Sequence, residues 1–348
     1  MSNEIRIAIA GLGNCASNLI QGLEYYRKDI KNTVGLMHRN AGGYDVSDIK
    51  VVAAFDIAEN KVGRDVSEAI FQYPNCTDKI ATVDNMGVKV HKGPVLDGWD
   101  KHFEDFYKVS MEAEVNIEGI LKESKTDVLV IMIPTGAHEA CYRYITAALN
   151  VGVSVVNGIP VLASHDEKII QLAKKNKAAI VGDDFKSQIG GTILHNTLMN
   201  LLQNRGIDIT SSYQLNYAGN MDFLNLTTNR GKDKHMSKRR GISSGIEKEG
   251  DLSINVSYLE NQKDHKTCMI SIEGYNFGGC KVTLDTKLTV TDSANSSGVV
   301  VDAIRCLMVA KSKKIYGRLE AASAYFMKSP YKQIPNEEAK KLVQQFLK

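Results

Sequence analysis

Six residues near the N-terminus, Gly11-Leu12-Gly13-Asn14-Cys15-Ala16, follow an apolar run and lead into a helical stretch, Asn18 to Tyr26. In that strand, turn and helix setting a GxGxxA sequence cradles a pyrophosphate. Gly11 permits the tight turn, Gly13 lets the backbone approach phosphates without a Cβ, and Ala16 allows close helix packing while the first helical amides face the anion. Asp56 closes the second apolar run, where a carboxylate accepts both ribose hydroxyls of NAD and repels a 2′-phosphate. It lies further along than the usual ~20 residues after the glycines, so Arg27 to Ile49 reads as an inserted loop.

Four more segments carry polar groups that packing alone does not predict. They are Gly182-Asp183-Asp184-Phe185-Lys186-Ser187-Gln188, the run Asn216 to Asn225, Lys234-His235-Met236-Ser237-Lys238, and Asp292 to Gly298. The first ends a strand candidate and opens a helix, the place where parallel sheets bind ligands and backbone amides favour an anion. Arg230 to Arg240 holds six Lys or Arg residues and one Asp, which also suits a solvated basic loop. A nucleic-acid patch is disfavoured, because no aromatic residues are interleaved for base stacking. Lys186 has no assigned role, and His235 reads as occupying the far face of its segment. Cys15 and Cys268 read as packing residues, and Asp292 also suits a helix cap.

The elements that must position these groups change character along the chain. Ile5 to Ala10, Val51 to Asp56, Val128 to Pro134, Ser154 to Asn157 and Ala179 to Gly182 are nearly continuous apolar runs. They alternate with helical spacing over Ala137 to Asn150 and Asp166 to Asn176, with Ser164 as a possible cap for the latter. That is a βαβ pattern and a parallel sheet covered on both faces. A helix over Gln188 to Gln203 then precedes strands Ser211 to Tyr217, Ile254 to Leu259, Thr267 to Gly274 and Lys281 to Val290. Adjacent strands predict an antiparallel sheet, with a turn at Gly278-Gly279 and one buried face in the last strand. Helices return over Asn295 to Lys311, Leu319 to Met327 and Glu337 to Leu347. The fold class is therefore α/β: a Rossmann-type doubly wound sheet over 1–186, an α+β domain over 187–292, and C-terminal helices over 293–348 that return to the first domain.

Composition narrows the function further. The 348 residues are 43% hydrophobic and 24% charged, and 43 Lys or Arg face 40 Asp or Glu. A formal charge of +3 gives no field that implies nucleic acid or an anionic bilayer. The longest apolar run, Val128 to Ile133, is far below the ~18 residues of a membrane span, and the N-terminus reads as a strand and not a signal peptide. Six cysteines are scattered without a CxxC pair, so reduced thiols and a cytoplasmic location are expected. No HxxEH, CxxC or EF-hand spacing indicates a tight metal site.

Taken together and in order, GLGNCAS, the four polar segments, the Asn157-Gly158-Ile159-Pro160 turn and Lys328-Ser329-Pro330 resemble the myo-inositol-1-phosphate synthase family in its compact prokaryotic form. The likeness spans Gly11 to Pro330. It implies bound NAD, glucose 6-phosphate as substrate, a homotetramer built by the α+β domain, and a divalent or monovalent cation in some members. The implied reaction oxidises carbon 5 of the open-chain sugar, so that carbon 6 becomes acidic and attacks the carbon 1 aldehyde, and hydride then returns. An NAD-dependent dehydrogenase of a sugar phosphate and a NAD-binding sensor without turnover are the competing functions.

The same resemblance implies site residues. Lys234, Lys238, Lys266 and Lys328 form the catalytic set with Asp184, Asp222 and Asp292. Lys234 and Lys328 serve the reacting oxygens and proton transfers, while Lys238 and Lys266 lean toward the substrate phosphate with Ser187, Gln188 and Asn220. Gly11, Gly13, Asn14, Cys15, Asp56, Pro134, Thr135, Asn157, Asp184, Ser187 and Asp292 hold the cofactor. If Lys234 and Lys238 are helical, their spacing of four puts them on one face, where each lowers the other's affinity for a proton.

Overall fold

The computed structural model describes residues 4–29, 31–244, 246–247 and 250–348. Among these, seven strands form one all-parallel sheet in the order Gly317–Arg318, Ala179–Val181, Ser154–Asn157, Val128–Ile131, Ile5–Ala10, Ile49–Asp56, Val90–Lys92. Ile5, Ile7 and Ile9 pack on one face against helices Asn14–Lys28 and Asp292–Ser312, while Ala8 and Ala10 face helices His138–Asn150 and Glu167–Lys175. Both faces are covered, which explains the unbroken apolar runs. The sheet winds outward in both directions from Ile5–Ala10 and Val128–Ile131, leaving a crevice at their carboxyl ends.

The Arg27–Ile49 insertion is not structureless. A two-stranded hairpin, Asn40–Ala41 with Tyr44–Asp45, is gripped by the buried Arg305 guanidinium, which donates to the carbonyls of His38, Arg39 and Tyr44. Asp302, beside Arg305 on the long helix, also meets His38 Nδ1 at 2.5 Å.

The second sheet, in the order Asp251–Tyr258, Asp208–Ala218, His265–Tyr275, Lys281–Thr291, is mixed and not purely antiparallel. Asp251–Tyr258 runs parallel to Asp208–Ala218, because helices Met221–Leu226 and Lys232–Ile242 make the crossover between them. Helix Gly191–Asn204 covers one face, where Cys268, Ile270 and Ile272 are buried. Lys281–Thr291 is an edge strand whose inward residues are only half-buried, so the predicted buried face belongs to its neighbour.

Two local expectations are corrected. Asp166, not Ser164, caps helix Glu167–Lys175, accepting from the Lys168 amide at 2.8 Å. Asp292 is the first residue of its helix and its carboxylate makes no cap.

Candidate active site

The crevice opens into a cleft lined by residues from the parallel sheet and from the four-stranded sheet. Its Rossmann wall is built from the glycine turn. Gly11 holds φ +91° and its Cβ would lie 2.7 Å from the Met132 carbonyl oxygen, so only glycine fits. A Cβ on Gly13 would meet nothing within 4 Å, and Gly13 caps the helix without a side chain. Leu12 N donates to Asp56 Oδ2 at 2.7 Å, while Ile57 N and Ala58 N donate to Oδ1, so three amides fix this carboxylate at the cleft wall. An open backbone cradle beside an oriented carboxylate fits a dinucleotide.

A segment that the sequence pattern leaves unread straps this cradle. Asn75 Nδ2 donates to the Leu12 carbonyl, and Asn14 Oδ1 accepts from the amides of Cys76 and Thr77. The buried Lys61 ammonium donates to the same Leu12 carbonyl and to Asn75 Oδ1. These contacts depend on residues about 50 to 60 positions apart, which no local pattern signals.

The opposite wall carries the ammonium groups. Helix Lys232–Ile242 turns Lys234 and Lys238 toward the cleft, and Gly241, which has no room for a Cβ against Thr192, lets it press on helix Gly191–Asn204. Lys266 comes from strand His265–Tyr275, and Lys328 from the segment after helix Glu320–Phe326. Lys328 N donates to the Asp184 carbonyl at 2.7 Å, which locks that segment to the end of strand Ala179–Val181.

Two carboxylates sort these cations. Asp184 is fully buried and holds φ +64°, a left-handed conformation that aspartate tolerates better than most residues. Its Oδ1 lies 2.9 Å from Lys234 Nζ and its Oδ2 lies 3.1 Å from Lys328 Nζ, with Ser237 Oγ donating to Oδ2 at 2.6 Å. Burial alone would raise the Asp184 carboxyl, but the two ammoniums and the hydroxyl outweigh it and hold it below the usual range. Lys266 Nζ donates to Asp292 Oδ1 at 2.9 Å. Lys234 and Lys266 are driven the same way: burial opposes their charge, yet Asp184 and Asp292 keep both above the ordinary lysine value.

The other two lysines are left short of negative charge. Asp184 cannot neutralise two ammoniums, so burial and the neighbouring Lys234 and Lys266 bring Lys328 down to about 8 despite its contact. Lys238 Nζ is buried without a hydrogen-bond partner, and burial with Lys266, Lys328 and Lys234 nearby lowers it to about 7. Asp222 is more exposed; it accepts from Thr135 Oγ1 at 3.2 Å and stands 4.0 Å from Lys234.

Fifteen predicted residues meet at the cleft: Gly11, Gly13, Asn14, Cys15, Asp56, Pro134, Thr135, Ser187, Asn220, Asp222, Lys234, Lys238, Lys266, Asp292 and Lys328. Asp184 lies just behind this wall. Asn157 is interior, donating to Asp183 and the Val161 carbonyl, and Gln188 turns away to the Gly35 carbonyl. Lys186 bonds the Ala324 carbonyl and Asn336, and His235 the backbone of Leu226 and Ile254, so neither reaches the cleft. Burial and nearby carboxylates push the Cys15 thiol up to about 12, which suits packing and not nucleophilic attack. Among the described residues no group of three or more His, Cys, Asp or Glu side chains gathers as a metal site, and no helix is long and apolar enough to cross a membrane.

The profile of a family described as myo-inositol-1-phosphate synthase matches residues 190–293. Inositol-3-phosphate synthase of Mycolicibacterium smegmatis is 42% identical over 357 residues, covering 99% of this chain and 98% of the relative. That of Corynebacterium glutamicum is 41% identical, covering 99% of each. The crystal structure of a myo-inositol-1-phosphate synthase-related protein from Thermotoga maritima superposes with a TM-score of 0.83 at 25% identity, covering 99% of this chain and 98% of that one.

Proposed function

Since the chain belongs to the myo-inositol-1-phosphate synthase family, its reaction is the NAD-dependent cyclisation of glucose 6-phosphate to inositol phosphate, and we propose how its residues divide that work. The observation that supports the division is the sorting of four converging lysines into two paired and two unpaired.

Gly11, Gly13, Asn14 and Asp56 hold the dinucleotide, with Thr135 and Asp292 toward its reactive end. NAD held there would supply reversible hydride acceptance, so that no net oxidation remains. Lys234, kept cationic by Asp184, stabilises negative charge on the reacting sugar oxygens in a dry site, where such stabilisation is strongest. Lys328, lowered to about 8, exists partly as an amine near neutral pH and takes the proton from carbon 6 at its Nζ. Asp184 holds both and sets their separation. Lys266 and Lys238 grip the phosphate with Ser187 and Asn220, and the dianion restores the proton that Lys238 lacks in the free enzyme. Gln188 and Asn157 act from behind this shell. A cation would take its oxygens from the substrate phosphate, the cofactor and Asp222 or Asp292.

We extend the reading to a homotetramer working in the cytoplasm. The half-exposed Tyr213 and Met269 on the outer face of the four-stranded sheet support such an assembly.

Incubation with glucose 6-phosphate and NAD, with chromatography of the products and continuous nicotinamide absorbance, tests the function. Inositol phosphate is expected with no lasting absorbance change, with or without chelator. Accumulating NADH without inositol phosphate would replace the cyclase by a dehydrogenase.

A further inference from the structure

Behind the phosphate end of the cleft lies a buried acid that the reaction as described does not use. Asp264 follows a loop on which Gly219 packs so closely that a Cβ would come within 2.3 Å of the Leu259 and Glu260 carbonyl oxygens, and Gly219 N donates to the Lys263 carbonyl. This approach seats the next residue, Asn220, above Asp264. Asn220 Nδ2 donates to Asp264 Oδ1 at 3.0 Å, while Asn220 Oδ1 accepts from Phe223 N and caps helix Met221–Leu226. The amide of Asn220 therefore has one orientation, set from both ends.

Asp264 also holds the start of the long helix. Asp292 N donates to the Asp264 carbonyl, and Ser293 donates to the carboxylate twice, from its amide at 3.3 Å and its hydroxyl at 3.0 Å. The local N-cap, Thr291, makes no side-chain cap, its hydroxyl donating instead to Asp78, so the cap and the negative charge that favour a helix N-terminus come from Asp264, 29 residues before Ser293. Asp292, in that first turn, is the partner of Lys266, two residues beyond Asp264. Thr77, from the strap over the dinucleotide cradle, is a fourth donor to the same carboxylate and the third from a side chain.

We propose that Asp264 is a positioning residue for the cyclisation, orienting Asn220 and the Asp292–Lys266 pair around the sugar phosphate. The inference rests on the phosphate role given above to Asn220 and Lys266. Burial, with Asp292 nearby, lifts the Asp264 carboxyl to about 6, so its charge is retained at neutral pH against a desolvation cost. A carboxylate is needed because four donors converge on it. A neutral amide in the same place has one acceptor oxygen and would set its own N–H against at least one of them.

The test compares the full-length enzyme with Asp264→Asn. The KM for glucose 6-phosphate is expected to rise at least about tenfold while kcat falls less than about fivefold. The NAD dissociation constant should stay within about threefold and the Tm within a few degrees, since the lost bonds are offset by the lost desolvation cost. An unchanged KM would overturn the proposal. So would a parallel loss of substrate affinity, NAD affinity and Tm, which would make Asp264 a general brace. Ser293→Ala removes one donor and leaves the acid; it should raise KM about threefold, and no rise would equally count against the proposal, even if Asp264→Asn does not fold. If the parent enzyme makes no inositol phosphate, the functional reading fails; if the parent turns over and both variants match it, this inference alone fails.

Discussion

Replacing Lys238 by methionine separates what that residue does for the ligand from what it costs the fold. Lys238 is 5% exposed, without a hydrogen-bond partner and near Lys234, Lys266 and Lys328, with its ammonium over the Phe223 ring and lowered from 10.5 to about 7. An unfolded chain keeps the ordinary value, so below pH 7 folding bears about 1.4 kcal/mol for each pH unit of the difference, on the order of 5 kcal/mol. The penalty shrinks as pH rises from 7 to 10.5, the window in which only the unfolded chain still holds the proton. Methionine fills a similar volume without charge, so the ligand-free variant should melt several degrees higher at neutral pH by scanning fluorimetry. The same variant should lose roughly 30- to 4,000-fold in kcat/KM, the range expected when a charge is removed from a desolvated ion contact worth about 2–5 kcal/mol. A second readout follows from the charge itself. At about pH 8 roughly nine-tenths of Lys238 is an amine, and a bound phosphate dianion recharges it, so binding takes up ~0.9 proton per substrate. Calorimetric titration in Tris and in HEPES reads this as a buffer-dependent enthalpy. A variant that melts below its parent without ligand, or a binding enthalpy equal in the two buffers, refutes the reasoning.

Asp184→Asn leaves two buried ammoniums sharing no carboxylate, an arrangement that costs about 3–5 kcal/mol. Turnover should fall by about a thousandfold or more in the product assay. Asp184 lies below its ordinary 3.8 in the fold, so its stabilising effect is present above that value and is lost as pH falls through its folded pKa; the variant should show less acid destabilisation than the parent in that range. Asp56→Ala should weaken NAD at least about thirtyfold by calorimetry without changing glucose 6-phosphate affinity, and equal loss of both would contradict its place at the ribose. In the free enzyme only a minority of molecules at about pH 7.5 combine a charged Lys238, lowered to about 7, with a neutral Lys328, lowered to about 8. The kcat/KM profile should therefore be bell-shaped around that pH, while kcat keeps only the limb rising through about 8; a flat kcat/KM from about pH 6 to 9 would exclude this pair.

The glycine turn was legible because backbone geometry restricts the residue type: no side chain can stand at Gly11 against Met132. The strands of the parallel sheet were legible because burial on both faces leaves no polar interruption within them. Lys234 and Lys238 carry a local signal, their spacing on one helix. Lys266 and Lys328 carry none, being single cations in a strand and a loop whose convergence is tertiary, and only the family likeness pointed to them. The strap at Asn75 to Thr77 carries no local signal for the same reason, since its bonds are to Leu12 and Asn14. The parallel placement of Asp251–Tyr258 leaves no trace in the strand pattern, because the basic segment before it, which reads as a loop by composition, is the crossover helix that makes parallel pairing possible.

The charge count of the cleft explains why one site can both bind a dianion and create a carbanion. Had all four lysines been paired, the phosphate would have met a neutral wall, and no amine would remain to take a proton. Had none been paired, mutual repulsion in a buried site would have discharged most of them and left little to stabilise an alkoxide. Asp184 and Asp292 fix Lys234 and Lys266 as permanent cations and leave Lys238 and Lys328 responsive. In the proposed division the phosphate charges Lys238, while Lys328, already partly an amine near neutral pH, remains available as the base. Discrimination between glucose 6-phosphate and unphosphorylated glucose should therefore appear in kcat as well as in KM, because a sugar without the dianion loses the anchoring by Lys238 and Lys266 that would hold carbon 6 at the Lys328 amine.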